Sequence, residues 1–108
     1  MTFEEHLPAV CDSSCPVRKT ASIIEGKWTT LIIRDLLGGE KRFSELLRSL
    51  DGISPKVLTE RLKFLEQRNL VFRTVYPVVP PKTEYRLTEM GEGLKDVIIA
   101  MSLFGQNL

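Results

Sequence analysis

Residues 43–68, FSELLRSLDGISPKVLTERLKFLEQR, read as two short helices joined by a tight turn. Phe43, Leu46, Leu47 and Leu50 fall at the i, i+3, i+4, i+7 spacing of one apolar face, and Asp51-Gly52 then breaks the period. Ser54 can accept a backbone N–H as N-cap, and Pro55 takes the first helical position, where its missing N–H is no loss. The second helix turns Leu58, Leu62 and Leu65 inward, so its opposite stripe carries Lys56, Thr59, Glu60, Lys63 and Gln67. A short helix, a glycine turn and a second helix with a polar, largely basic outer face have the form of a helix-turn-helix, whose second helix can enter the major groove of DNA. They also describe an ordinary helical hairpin, and the flanking sequence has to separate the two.

Downstream the period changes. Residues 70–76 are rich in Val, Phe, Thr and Tyr, and residues 83–87 centre on Tyr85, so two strands are expected. Between them runs Pro77-Val78-Val79-Pro80-Pro81-Lys82, too proline-loaded to give many ladder hydrogen bonds, and so a protruding hairpin tip. Thr88 is a plausible N-cap for a last helix with Leu94, Val97, Ile98, Met101 and Phe104 in one stripe. Upstream, Cys15-Pro16 opens a helix with Val17, Ala21 and Ile24 on one face, ending near Gly26. A second helix carries Trp28, Leu31, Ile32 and Leu36 as far as Gly38-Gly39. Trp28 is read as a core residue. The fold class is mainly α with a small β-hairpin, a winged helix-turn-helix. It spans residues 15–108 as one domain behind an arm, residues 1–14. Arg73, Lys82 and Arg86, near the wing, could hold phosphates or reach a minor groove.

The totals agree with one globular domain. Hydrophobic residues make up 43% and charged residues 27% of the 108, which fits neither a disordered nor a membrane-embedded chain. The opening residues MTFEEHLPAV lack the basic and apolar regions of a secretion signal, so a cytoplasmic location is expected. The formal net charge is only +1, but residues 41–86 hold ten basic and five acidic side chains, leaving the two ends acidic. A basic middle suits a protein with one face toward phosphates. Catalysis is not expected: the one histidine, His6, lies in the arm, and there is no glycine-rich phosphate loop, no GxSxG and no carboxylate pair in an apolar setting. Nothing in the sequence calls for a cofactor.

The runs CPVRKTASIIEGKWTTLIIRDLL and RFSELLRSLDGISPKVLTERLKFLEQRNLVFRTVYPVVPPKTEYRLTEMG resemble the HxlR-type family of bacterial winged-helix transcriptional regulators. The likeness covers about residues 15–104, and GKW, RFSEL, ISPK-LT-RL and VPP-EY-LT together are highly specific. It implies a homodimer on an inverted repeat in double-stranded DNA, with the recognition helix in the major groove and the wing alongside. Arg42, Ser54, Lys56, Thr59, Glu60, Lys63, Arg73, Lys82 and Arg86 are the expected DNA-facing residues. The resemblance also implies dimerisation through the terminal helices, with Val17, Leu94, Val97, Ile98, Met101 and Phe104 at the interface. Independently, five apolar stripe residues on so small a domain need a cover, either a second subunit or the chain's own core.

Cys15 sits at or next to the N-cap of the first helix, with Arg18 and Lys19 one turn on. Unpaired N–H groups and positive charge at that place stabilise a thiolate. In several members of the family the cysteine of this CP dipeptide senses oxidants or electrophiles, and the alternative is a structural cap buried at the dimer interface. Cys11 could pair with Cys15 or bridge subunits, though neither is required. His6, Cys11, Asp12 and Cys15 could instead form the metal site of a metal-responsive regulator, at irregular spacing. A winged-helix module that binds another protein is the reading from a different class.

Overall fold

The computed structural model describes residues 12–108. Its elements run α1 (Pro16–Ile24), α2 (Lys27–Leu37), β1 (Lys41–Arg42), α3 (Phe43–Ser49), α4 (Pro55–Gln67), β2 (Val71–Tyr76), β3 (Lys82–Leu87), α5 (Glu89–Glu92) and α6 (Lys95–Gly105). The two helices of the central stretch form with the expected turn. Gly52 sits at φ 91°, a left-handed conformation that side chains rarely tolerate, and lies against the Trp28 ring. Ser54 caps α4, its Oγ accepting from Val57 N at 3.1 Å, and Pro55 opens the helix. At the other end Asn69 takes φ 60°, and the N–H groups of Asn69 and Leu70 bond back to Glu66 and Leu65. That turn closes α4 and feeds directly into β2.

Leu58, Leu62 and Leu65 of α4 meet Leu46 and Leu50, Ile32, Ile33 and Leu36 of α2, and Leu70, Val71, Tyr85 and Leu87 of the hairpin in one core. Trp28 is half-buried against it, as expected. The sheet has three antiparallel strands rather than two. β1, a pair of residues before α3, docks on β3 with Lys41 opposite Tyr85 and Arg42 opposite Glu84, while β2 pairs along β3 from Val71–Leu87 to Tyr76–Lys82. Two residues are too short to leave a period in the sequence.

One further departure concerns the C-terminal end. The last helix is broken: Thr88 caps a single turn, its Oγ1 accepting from Gly91 N at 3.0 Å, and α6 restarts at Lys95. The face Val17, Ala21 and Ile24 of α1 does not turn inward. No residue of α1 is buried, Val17 is 56% exposed, and Pro16, Val17, Thr20, Ala21 and Ile24 line a shallow outward groove; Ile23 alone of α1 packs on the core. A one-sided spacing marks an apolar face but not what that face meets. No helix among the described residues is long and apolar enough to cross a membrane.

Candidate nucleic-acid interface

Because Leu58, Leu62 and Leu65 are spent on the core, α4 presents Lys56, Thr59, Glu60 and Lys63 to solvent. Beside this stripe the hairpin folds over, and a groove of about 760 Å³ opens between α4 and the wing. Thr59, Lys63 and Glu66 line it from the helix, Arg73, Lys82, Thr83 and Tyr85 from the strands, and Arg42, Phe43 and Ser44 from the start of α3. Four cations thus converge with two carboxylates, Glu66 and Glu84, close by.

The strand alternation separates Arg73 from Arg86. Arg73 and Tyr85, opposite each other in register, face the groove. Burial pushes the Tyr85 phenol above its ordinary pKa, and the neighbouring Arg73 guanidinium partly offsets that rise. Phe72 and Arg86 occupy the next register pair and therefore the other face: the Arg86 guanidinium lies 4.5 Å over the Phe72 ring and 3.9 Å from Glu40. Arg86 is accordingly absent from the groove lining. Near the tip, the Lys82 ammonium bonds Glu84 at 2.9 Å and sits 5.1 Å from the Tyr76 ring centre, and Arg42 approaches the same carboxylate at 4.0 Å. The hydrogen bond from Lys82 holds the Glu84 carboxyl below the usual carboxylate range.

Two hydroxyls in the expected set are partly committed. Ser54 Oγ accepts from its own helix, and Thr59 Oγ1 donates to Pro55 O at 2.8 Å, leaving Thr59 lone pairs to accept and the Ser54 hydroxyl proton to give. Among the groove residues outside the expected DNA-facing set are Ser44, Glu66, Thr83 and Tyr85. For Glu66 and Tyr85 the signal was there in principle: Glu66 follows Lys63 by one turn, and Tyr85 alternates with Arg86.

Cys15 is the N-cap of α1 and is 4% exposed, its N–H bonded to Asp12 O at 3.0 Å and its carbonyl accepting from Lys19 N at 3.0 Å. His6 and Cys11 lie outside the described residues, so the cysteine pair and the four-residue metal site fall there as well. Among the described residues no group of three His, Cys, Asp or Glu side chains could hold a metal ion. Of the expected interface residues, Leu94 and Ile98 pack against the chain's own core and Val97 is half-buried. Met101 and Phe104 are 44% and 70% exposed, and Ile99, Leu103 and Leu108 join them at the surface.

A hairpin appended to a helix-turn-helix, with its exposed second helix beside the wing, defines a winged helix-turn-helix protein. Residues 23–108 match the HxlR-like helix-turn-helix family, and the chain belongs to that family. An uncharacterized HTH-type transcriptional regulator of Synechocystis sp., sll1512, is 40% identical over 93 residues, covering 86% of this chain and 69% of that one. The redox regulator HypR in its reduced form superposes with a TM-score of 0.81 at 39% identity, covering 85% of this chain and 91% of HypR. The reduced form of the transcriptional regulator YodB from Bacillus subtilis gives a TM-score of 0.74 at 41% identity, over 87% of this chain and 93% of YodB. The chain is a transcriptional regulator of the helix-turn-helix type.

Proposed function

We propose that the chain binds double-stranded DNA as a homodimer on an inverted repeat, in the cytoplasm, with α4 in the major groove of each half-site and the wing alongside. The carrying observation is the solvent-facing stripe Lys56, Thr59, Glu60 and Lys63 on a helix whose opposite face is fully committed to the core, next to a groove lined by Arg42, Lys63, Arg73 and Lys82. Lys56 is nearest the N-terminus of α4, the end that usually meets base edges. Footprinting on a duplex carrying the chain's own upstream region should show two protected half-sites about one helical turn apart, with affinity falling steeply with salt. Failure to retain any duplex at low salt overturns this reading.

Regulation belongs to Cys15. Attack of its thiolate on a hydroperoxide breaks the O–O bond and leaves a sulfenic acid, the electron pair departing with water or an alcohol. The sulfur is buried at the start of α1, so the added oxygen, or a bridge to a second thiol, would have to displace α1 and the subunit packed on it. HypR, a redox regulator, and YodB, solved after diamide treatment as well as reduced, share this fold and support the reading. Cys15→Ser should bind DNA and ignore diamide. A Ser variant that responds as the wild type does would make Cys15 a structural cap.

A further inference from the structure

Four cations line the groove beside α4, and they are not held alike. Among the described residues no ion pair engages Lys63 or Arg73, whereas Lys82 and Arg42 share one carboxylate. The Lys82 ammonium lies 2.9 Å and the Arg42 Nε 4.0 Å from the same Glu84 oxygen, Oε1. Each cation is also fixed at its base. Arg42 stands opposite Glu84 in the β1–β3 ladder, and its backbone N–H donates to the Glu45 carboxylate at 2.8 Å. Lys82 pairs with Tyr76 across the hairpin, its ammonium 5.1 Å from the ring centre. The Glu84 side chain is only 15% exposed, so salt screens these contacts less than it would on an open surface.

A carboxylate at this place works against simple attraction. It cancels one of the charges that draw phosphates to the groove, and it repels any anion that comes near. What it supplies is order. Two cationic heads within reach of one oxygen would otherwise repel each other and swing freely. Tied to Glu84, they lose that freedom before DNA arrives rather than on binding. A fork fixed in this way rewards a duplex whose phosphates, once α4 has set the register, fall where the fork already points. It gives little to a duplex docked in another register.

We propose that Glu84 is a positioning residue for DNA recognition, holding Arg42 and Lys82 as a fixed fork that favours one docking register over the others. This rests on the DNA-binding reading above, and the test separates the two. Wild-type protein is used to select a duplex from a random pool. That duplex and a scrambled one of the same length and composition are then titrated by fluorescence anisotropy across a salt series. If the wild type retains no duplex, the DNA-binding reading fails and the fork with it. Given a retained duplex, Glu84→Gln frees both cations and removes a negative charge. Binding to the scrambled duplex should tighten, with a salt slope steeper by about one, while the preference for the selected duplex falls about five- to tenfold. Glu84→Asp keeps the charge but draws the carboxylate back by one methylene, so it should lose preference at an unchanged slope. Glu66→Gln removes a groove carboxylate outside the ion pairs of the described residues, and should tighten both duplexes alike. Partial unfolding of a variant lowers binding to both duplexes equally and leaves their ratio unmoved. A preference that stays at the wild-type value in Glu84→Gln and Glu84→Asp overturns the fork while leaving the DNA-binding reading intact.

Discussion

Gly91 and Thr88 lock the hairpin to the C-terminal helix at the scale of single atoms. Thr88 Oγ1 donates to Asn69 O at 2.6 Å and accepts from Gly91 N, while Thr88 N donates to Leu70 O at 3.0 Å. This draws the first turn of α5 onto the start of β2 so closely that a Cβ at Gly91 would collide with the Leu70 carbonyl oxygen, with the Leu87 side chain 3.1 Å away. Backbone cannot yield there as a flexible side chain could. Gly91→Ala should therefore cost about 3 kcal/mol in urea unfolding followed by Trp28 fluorescence, far more than an exposed glycine would. Thr29 predicts the opposite sign. Its hydroxyl is buried at 1% exposure with no hydrogen-bond partner among the described residues, so Thr29→Val removes an unpaired polar atom at nearly constant shape. A gain of about 1 kcal/mol is expected in the same assay.

Among elements, the proposed DNA contact is shared between α4 and the wing, and place along β3 as well as its two faces decides which cations line the groove: Lys82, at the tip, does, and Arg86, on the same face further from the tip, does not. Lys63 projects into the groove, whereas Arg86 lies on the far face over Phe72 and beside Glu40. Lys63→Ala should weaken binding to all sequences and reduce the magnitude of the salt slope by about one, while Arg86→Ala should change neither. Equal losses in both variants would mean the wing docks by its other face. The helix-turn-helix was legible from residues 43–68 because its leucines keep one period and Ser54-Pro55 mark a helix start in atoms that do cap it. The wing was legible from its β-branched run and its prolines. β1 left no such mark, whereas the break before α6 is marked by Gly91 and Gly93. β1 exists because Lys41 and Arg42 happen to reach the free edge of β3, a long-range event with no local period. The break follows from Gly91 and Gly93 and from the close approach to Leu70. Proximity to the wing read Arg73 and Arg86 alike, because faces of a strand become meaningful only when the register is known.

At the scale of the whole molecule, both terminal helices carry apolar surface that the other described residues do not cover. α1 has no buried residue, and α6 exposes Ile99, Met101, Leu103 and Phe104 in sequence with Leu108 beyond it. Exposed apolar surface of this extent on a small domain is expected to find a partner, and a second copy offers the matching one by two-fold symmetry. The stripe read from spacing is thus two surfaces: Leu94 and Ile98 join α6 to its own core, and Met101 and Phe104 stay at the surface. The two positions should behave differently when charged. Ile98→Glu forces a carboxylate against the core and should unfold the chain. Phe104→Glu, at 70% exposure, should leave a folded protein with wild-type Trp28 fluorescence that sediments as a monomer. Such a monomer can engage only one half-site at a time, so its affinity for an inverted repeat should fall to that for a single half-site, losing the gain from two tethered heads. A folded Phe104→Glu dimer, measured by analytical ultracentrifugation, would place the subunit contact on a different face, and the coupling from Cys15 through α1 to the paired recognition helices would fall with it.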